Sequence, residues 1–310
     1  MTAERHLLID LGGTHTRVAW GDAQGVTQDS IRLFLNRDFH GLNSVLSAFL
    51  TEQPGQPHSL CAGVAGPVQS GTAQLTNYEW FIDAVALKTQ TGAHRVALIN
   101  DLQAQGYALD DIPACALQKV KQGHHDDGPR VVLNLGTGCN CAVVHRVAGR
   151  LFVPAAETGH SSLPHAEGDL RALFDHLRTD HAHLPIEAVL SGPGLARVHA
   201  WTTGHHIPPE AVITQIAQHT DEARTTLALF LQTLGHVAGN IALHHLPTGG
   251  MYLSGGLAKA MAPYLDDPAF LTAFLDRGPY RHIAQAIPIH VITQDSFALH
   301  GCHRHLTQSL

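Results

Sequence analysis

Leu7-Leu8-Ile9-Asp10-Leu11-Gly12-Gly13-Thr14-His15-Thr16-Arg17-Val18-Ala19-Trp20 is an apolar run, an Asp-Leu-Gly step, a small polar turn and a second apolar run. Two short aliphatic runs joined by a glycine turn predict a β-hairpin. The pattern returns at Val131-Val132-Leu133-Asn134-Leu135-Gly136-Thr137-Gly138-Cys139-Asn140-Cys141-Ala142-Val143-Val144, with Asn in place of Asp. Recurrence at a domain's length along the chain predicts two domains of related build facing one another. Further strand signals lie at Leu60 to Ala65, Arg95 to Ile99, Met251 to Leu253 and Ile289 to Thr293. From about Glu222 to His245, Leu227, Phe230, Leu231, Leu234, Val237, Ala238 and Ile241 recur at spacings of three and four, which predicts a helix. Gly235 and Gly239 inside it cost helix stability, so a close packing neighbour is expected there. Strands mixed with helices give an α/β class. The polar stretch Lys119 to Gly128 reads as a loop.

The 310 residues suit two domains; 44% are hydrophobic and 15% charged, values of a globular chain with a sizeable core. A formal net charge of -7 and the lack of a Lys/Arg-rich run argue against a nucleic-acid partner. No cationic start with a long apolar run precedes Leu7, and no segment reads as a membrane span, so a cytoplasmic location is expected. The five cysteines are odd in number and irregularly spaced, against a disulfide framework. Cys139 and Cys141 alternate to one face of a strand and read as buried thiols, since a closed zinc site needs about four ligands. The 25 histidines include three adjacent pairs, whose side chains point apart and make poor bidentate sites.

The P-loop, the G-x-G-x-x-G fingerprint and the G-x-S-x-G elbow are all absent from the sequence. The two glycine turns remain. Backbone N–H groups in such turns approach anions closely, so the pair points to polyphosphate binding. Asp10, ending the first strand, is placed to hold a hydrated divalent cation beside the phosphates. Gly249-Gly250-Met251-Tyr252-Leu253-Ser254-Gly255-Gly256-Leu257 reads as strand, Gly-Gly turn and helix, where backbone approaches a flat ring or an anion. Asn100-Asp101 follows an apolar strand. There an Asp accepts a proton from an attacking hydroxyl, or either residue caps a helix. Glu157, His160, Glu187, Asn77 and Trp80 are further polar or aromatic candidates, of the kinds that pair with ring hydroxyls.

This ordered set resembles the bacterial glucokinase family, the branch without the cysteine-rich zinc motif of repressor-type sugar kinases, over essentially the whole chain. Asp10-Leu11-Gly12-Gly13-Thr14 is similar to the family's first phosphate motif and Gly136-Thr137-Gly138 to its second. Leu253-Ser254-Gly255-Gly256 resembles the adenosine motif. Thr76-Asn77-x-x-Trp80, Ile99-Asn100-Asp101, Glu157-x-Gly159-His160 and Glu187 resemble the sugar-pocket segments. The resemblance implies two actin-like ATPase (ribonuclease H-like) α/β domains with a cleft between them. The small domain is expected over residues 1–107 plus about 297–310, and the large one over 108–296. It implies ATP and Mg²⁺ as cofactors, transfer of the γ-phosphoryl group to the 6-hydroxyl of glucose, and a homodimer. Asp101 is then the catalytic base. Asn77, Asn100, Asp101, Glu157, His160 and Glu187 bind the sugar. Gly12, Gly13, Thr14, Gly136, Thr137, Gly138, Gly255 and Gly256 bind the nucleotide, and Asp10 acts through metal-bound water.

Two places depart from the family's pattern. Cys139 and Asn140 stand where an aliphatic residue and a further glycine are usual, and asparagine's tolerance of positive φ would keep that turn intact. Thr158 stands where glycine is usual and adds bulk beside the sugar. Thr158 therefore motivates an alternative, a kinase for another hexose or an amino sugar. The altered second turn motivates another, a catalytically silent sugar-binding regulator.

Overall fold

In the computed structural model, which describes residues 4–75, 78–124, 126–294 and 297–308, both glycine hairpins form. The chain divides into two compact units. The first comprises Met1–Pro113, Val147–Ala155 and Gln294–Leu310; the second comprises Ala114–Arg146 and Ala156–Thr293.

In the first unit, β1 (His6–Leu11) pairs antiparallel with β2 (His15–Asp22), and β3 (Gly25–Val26) and β4 (Arg32–Leu35) extend the sheet from β2. After α1 (Leu42–Glu52) comes β5 (Ser59–Val64), parallel to β1. A small antiparallel set, β6 (Val68–Gln69), β7 (Thr72–Gln74) and β8 (Phe81–Asp83), leads to α2 (Ala84–Thr91). Then β9 (Arg95–Asn100) joins β5 in parallel and α3 (Asp101–Tyr107) follows directly. The sheet order is β3-β2-β1-β5-β9. β1 and β5 are buried at every position, as central strands covered on both faces must be.

The second unit repeats this plan. β10 (Leu117–Lys121) precedes β11 (Arg130–Leu135), which pairs antiparallel with β12 (Cys139–Val147). The chain re-enters the first unit for β13 (Arg150–Phe152) and returns through α4 (Gly168–Leu177), α5 (Gly192–Thr203), α6 (Pro209–Ala217) and α7 (Asp221–His245). β14 (Met251–Ser254) then pairs in parallel with β11. After α8 (Gly256–Met261), α9 (Pro268–Leu275) and α10 (Arg281–Ala286), β15 (Ile289–Ile292) pairs in parallel with β14. A hairpin followed by two parallel strands, β2-β1-β5-β9 and β12-β11-β14-β15, is thus built twice. The final helix, α11 (Ala298–Gln308), belongs to the first unit, where Gly301 rests on the Ala104 carbonyl of α3.

Two expectations are corrected. The start of the Lys119–Gly128 loop is strand, because β10 pairs antiparallel with β15 across a register shift between Lys119 and Lys121. Lys121 is held there by three carbonyls, those of Gln122, Gln285 and Ile287, which polar composition did not reveal. The second correction concerns membrane spans. α7 is long and apolar enough by length and composition to cross one, and two-thirds of that window is buried inside the structure, as in the core helix of a globular domain.

α7 shows why its glycines are there. A Cβ on Gly235 would stand 2.4 Å from the Phe270 carbonyl oxygen, and one on Gly239 would stand 2.7 Å from that of Phe274. Both carbonyls belong to α9, so the helices meet backbone to backbone. Phe230, Leu231, Leu234, Phe270 and Phe274 fill the core beside the contact, each contributing about 1.5–3 kcal/mol through burial. Gly235→Ala gains helix propensity but collides with backbone that has no rotamer to yield. We expect it to lower stability by about 1–3 kcal/mol, read from the urea midpoint; a stabilised variant would contradict this packing account.

Histidines give the fold a pH dependence. Burial, the largest cause, holds His6, His300 and His305 below the usual imidazole range; His303 adds to it at His6 and Arg95 at His305, while Asp111 partly opposes it at His300. The folded state therefore binds fewer protons than the unfolded chain once pH drops towards the unfolded value of about 6.5. Stability should fall as pH is lowered through that value. Thermal midpoints at pH 7.5 and 5.5 check this, and His305→Gln should shrink the drop.

Candidate functional site

In the first unit the candidate residues stand at the carboxyl ends of aligned parallel strands. Leu11 of β1 pairs with Val64 of β5, and Val64 with Asn100 of β9. The first glycine turn, Ala65-Gly66 and Asn100-Asp101 all leave the sheet at this edge, the customary ligand edge of α/β sheets. Hydrogen bonds tie them together: Ala65 N–H donates to the Leu11 carbonyl at 2.8 Å, and Asn100 Nδ2 donates to the Gly66 carbonyl at 3.2 Å.

The first turn is held from behind. Gly12 N–H donates to the His15 carbonyl at 3.0 Å. Asn36 is fully buried and completes the turn: its Nδ2 donates to the Gly12 carbonyl at 2.8 Å, its Oδ1 accepts from Thr16 at 2.7 Å, and its backbone N–H donates to the Thr14 carbonyl at 3.0 Å. Gly13 is the turn's central residue. Sequence reasoning missed Asn36, because a lone Asn at a strand end carries no spacing signal. Asp10 is buried at 8% exposure, with Arg17 Nη1 3.1 Å from its Oδ2. Asp10 and Arg17 are register partners in the hairpin, so the ion pair follows from the pairing of β1 with β2. One compensated carboxylate suits a cation held through water beside phosphates better than a direct multidentate site. Among the described residues no group of three or more His, Cys, Asp or Glu side chains is gathered for a metal.

Asn100 is the N-cap of α3. Its Oδ1 accepts from Leu102 N–H at 2.8 Å, while Gln103 Oε1 accepts from Asn100 N–H at 3.0 Å, completing a capping box. The Asn-x-x-Gln spacing was a readable signal for it. Asp101 is the first residue of the helix, with Oδ1 accepting from Leu102 N–H at 2.8 Å. A carboxylate at this position is stabilised by the positive end of the helix dipole. Trp80 is buried in the first unit's core, its ring 5.5 Å from that of Tyr78. Asn77 and Thr76 lie outside the described residues.

The second unit gathers its candidates at the equivalent edge. Gly136-Thr137-Gly138 turns between β11 and β12, with Gly136 N–H donating to the Gly138 carbonyl at 2.9 Å. Gly192, the first residue of α5, donates its N–H to the Gly136 carbonyl at 2.8 Å. Asn134 and Ser254 are register partners on β11 and β14, joined side chain to side chain at 3.2 Å. Gly255 follows with φ +93°, and a Cβ there would meet the Leu135 carbonyl oxygen at 2.3 Å. Gly255 and Gly256 thus start α8 directly beside the second glycine turn.

Glu157, His160 and Glu187 also come together here. Glu187 Oε2 would lie 3.2 Å from a Cβ on Gly138, and Glu187 Oε1 is 3.6 Å from His160 Nδ1. The loops carrying them are laced by Ile186 N–H donating to the Ser161 carbonyl at 2.8 Å and Leu163 N–H to the Leu184 carbonyl at 2.9 Å. Gly159 lies so close to the Cys139 carbonyl that a Cβ would overlap it at 1.7 Å. Burial raises the pKa of Glu157; neighbouring Glu187 pushes it the same way and His160 opposes. Cys139 and Cys141 are both buried, and burial raises each thiol. Asn140 corrects an expectation: it is a β12 residue paired with Asn134 and does not adopt positive φ. Its side chain instead bonds to the loop of Glu157, at 3.1 Å to Oε2. Arg197, missed by sequence reasoning, donates to the Ala188 carbonyl at 2.8 Å and lies in the field of Glu187.

Comparisons with known proteins agree with this geometry. A family model described as Glucokinase matches residues 7–309. The glucokinase of Chelativorans sp. (strain BNC1) is 31% identical, the match covering 95% of this chain and 89% of that one. The glucokinase of Psychromonas ingrahamii (strain DSM 17664 / CCUG 51855 / 37) is 28% identical over 98% of this chain and 97% of its own length. Among solved structures, a glucokinase from an Antarctic psychrotroph superposes with a TM-score of 0.86 at 28% identity, covering 98% of this chain and 99% of that one. Matched from end to end in sequence and in fold, the chain belongs to the glucokinase family.

Proposed function

We propose that the protein transfers the γ-phosphoryl group of ATP to the 6-hydroxyl of glucose. The observation that carries this is Asp101. It is the first residue of α3 at the carboxyl end of β9, in a chain matching the glucokinase family over residues 7–309. In this reading Asp101 accepts the 6-hydroxyl proton as the oxygen attacks the γ-phosphorus and ADP departs. Asn77, Asn100, Glu157, His160 and Glu187 hold the remaining hydroxyls. The N–H groups of Gly13 and Thr14, and of Thr137 and Gly138, receive the phosphates, while Gly12 and Gly136 close the turns through their own N–H bonds to the His15 and Gly138 carbonyls. Gly255 and Gly256 receive the adenosine. The two units act as the small and large lobes of an actin-like kinase. The enzyme works as a cytoplasmic homodimer.

Little covalent chemistry falls to the protein in phosphoryl transfer, so positioning and charge stabilisation dominate. Mg²⁺ bound with the nucleotide would supply screening of phosphate charge, and Asp10, paired with Arg17, would hold it through water. The capping box at Asn100 and Gln103 fixes where Asp101 leaves the strand, which is what a positioned base requires.

A second reading, a kinase for another hexose or an amino sugar, is motivated by Thr158, which follows Glu157 in the chain and stands where the resembled motif has glycine. Asp101→Ala should lower kcat by about 10²- to 10⁴-fold with a smaller change in sugar KM; a loss under tenfold would remove Asp101 as base. Comparing kcat/KM across glucose, mannose, fructose and glucosamine checks the acceptor. Glucose should rank first, and a tenfold preference for another sugar would transfer the assignment to it.

A further inference from the structure

Asn140 and Thr158, 18 residues apart in the chain, are joined in the structure. Thr158 N–H donates to Asn140 Oδ1 at 2.9 Å. Asn140 Oδ1 also accepts from Cys141 N–H at 2.8 Å, while Nδ2 donates to the Ala156 carbonyl at 2.7 Å and to Glu157 Oε2 at 3.1 Å. A primary amide has two N–H donors and an oxygen that accepts twice, so every hydrogen-bonding capacity of Asn140 is used. Three of the four bonds go to consecutive residues, 156, 157 and 158. The amide orientation is forced, because the flipped form would set N–H against two N–H donors and oxygen against a carbonyl and a carboxylate.

The Thr158 hydroxyl is engaged with the same strand. Its Oγ1 lies 3.0 Å from Cys141 Sγ, whose pKa burial raises and this contact partly lowers. Gly159 then packs directly on the Cys139 carbonyl. Residues 156–158 are therefore tied to β12 by the Asn140 side chain, and Gly159 is laid on it backbone to backbone.

We propose that Asn140 is a positioning residue for the sugar site. Its amide clamps residues 156–158 onto β12 and holds the Glu157 carboxylate by Oε2, leaving Oε1 to meet a sugar hydroxyl. The inference rests on Glu157 as a sugar ligand. Asn140 acts only through Glu157 and touches no substrate. Its loss should weaken sugar binding in ground state and transition state alike, raising sugar KM and sparing kcat.

A double-mutant cycle tests this with the whole enzyme, using the sugar that gives the highest kcat/KM. Asn140→Ala should raise sugar KM about tenfold, with ATP KM within about twofold. In a Glu157→Ala background it should add less than about twofold, because the group it positions is gone. Independent, multiplying effects, or an Asn140→Ala enzyme with unchanged sugar KM, would overturn the positioning role while leaving Glu157 a ligand. Should Glu157→Ala itself leave sugar KM unchanged, Glu157 is not a sugar ligand and both assignments fall. Asn140→Asp, which keeps the shape but loses both donors, gives the same comparison if the alanine variant unfolds. It should raise sugar KM only when Glu157 is present.

Discussion

Everything in this structure depends on where two β-hairpins end. Pairing of β1 with β2 and of β11 with β12 puts a glycine turn at the carboxyl end of each central parallel strand. The parallel partners then finish at the same level, Leu11 with Val64 and Val64 with Asn100 in the first unit, Asn134 with Ser254 in the second. A one-residue slip would turn every side chain to the opposite face and bury the polar edge. The Asp10–Arg17 ion pair across the first hairpin and the Asn134–Ser254 bond between β11 and β14 hold the register against that slip.

Polar side chains behind the turns supply the remaining precision. Asn36 braces the first turn, and Asn134 joined to Ser254 braces the strands beneath the second and third glycine motifs. Each amide bonds to backbone or to a second side chain, which for the buried Asn36 offsets the cost of removing it from water. Ser191 does similar work at α5, accepting from Gly194 N–H at 2.9 Å and donating to the Glu187 carbonyl at 2.7 Å. The residue that presents Glu187 is thereby tied to the cap of the helix whose first N–H holds the second turn.

Much of this was legible in the sequence. The doubled Asp/Asn-Leu-Gly hairpin announced the repeated sheet plan, and Gly235 and Gly239 announced the close approach of α9 to α7. Long, periodic features of this kind carry their physics locally. What stayed hidden depends on contacts distant in sequence. Asn36 touches Gly12 and Thr16, and Lys121 reaches carbonyls of Gln285 and Ile287. The turn pattern makes Asn140 a residue tolerant of positive φ, whereas the structure makes it a four-bonded strand residue. No periodicity encodes a side-chain amide meeting a loop whose position is set by the fold.

The central claim is that this arrangement moves phosphate to a sugar hydroxyl and not to water. The most direct measurement is a coupled assay of glucose 6-phosphate and ADP, with purified protein, Mg-ATP, and glucose present or omitted. The account predicts turnover within about 1–10³ s⁻¹, with ADP and glucose 6-phosphate formed in equal amounts and ADP release falling sharply when glucose is omitted. ADP release that does not depend on sugar, or no glucose 6-phosphate at any glucose concentration, would contradict it.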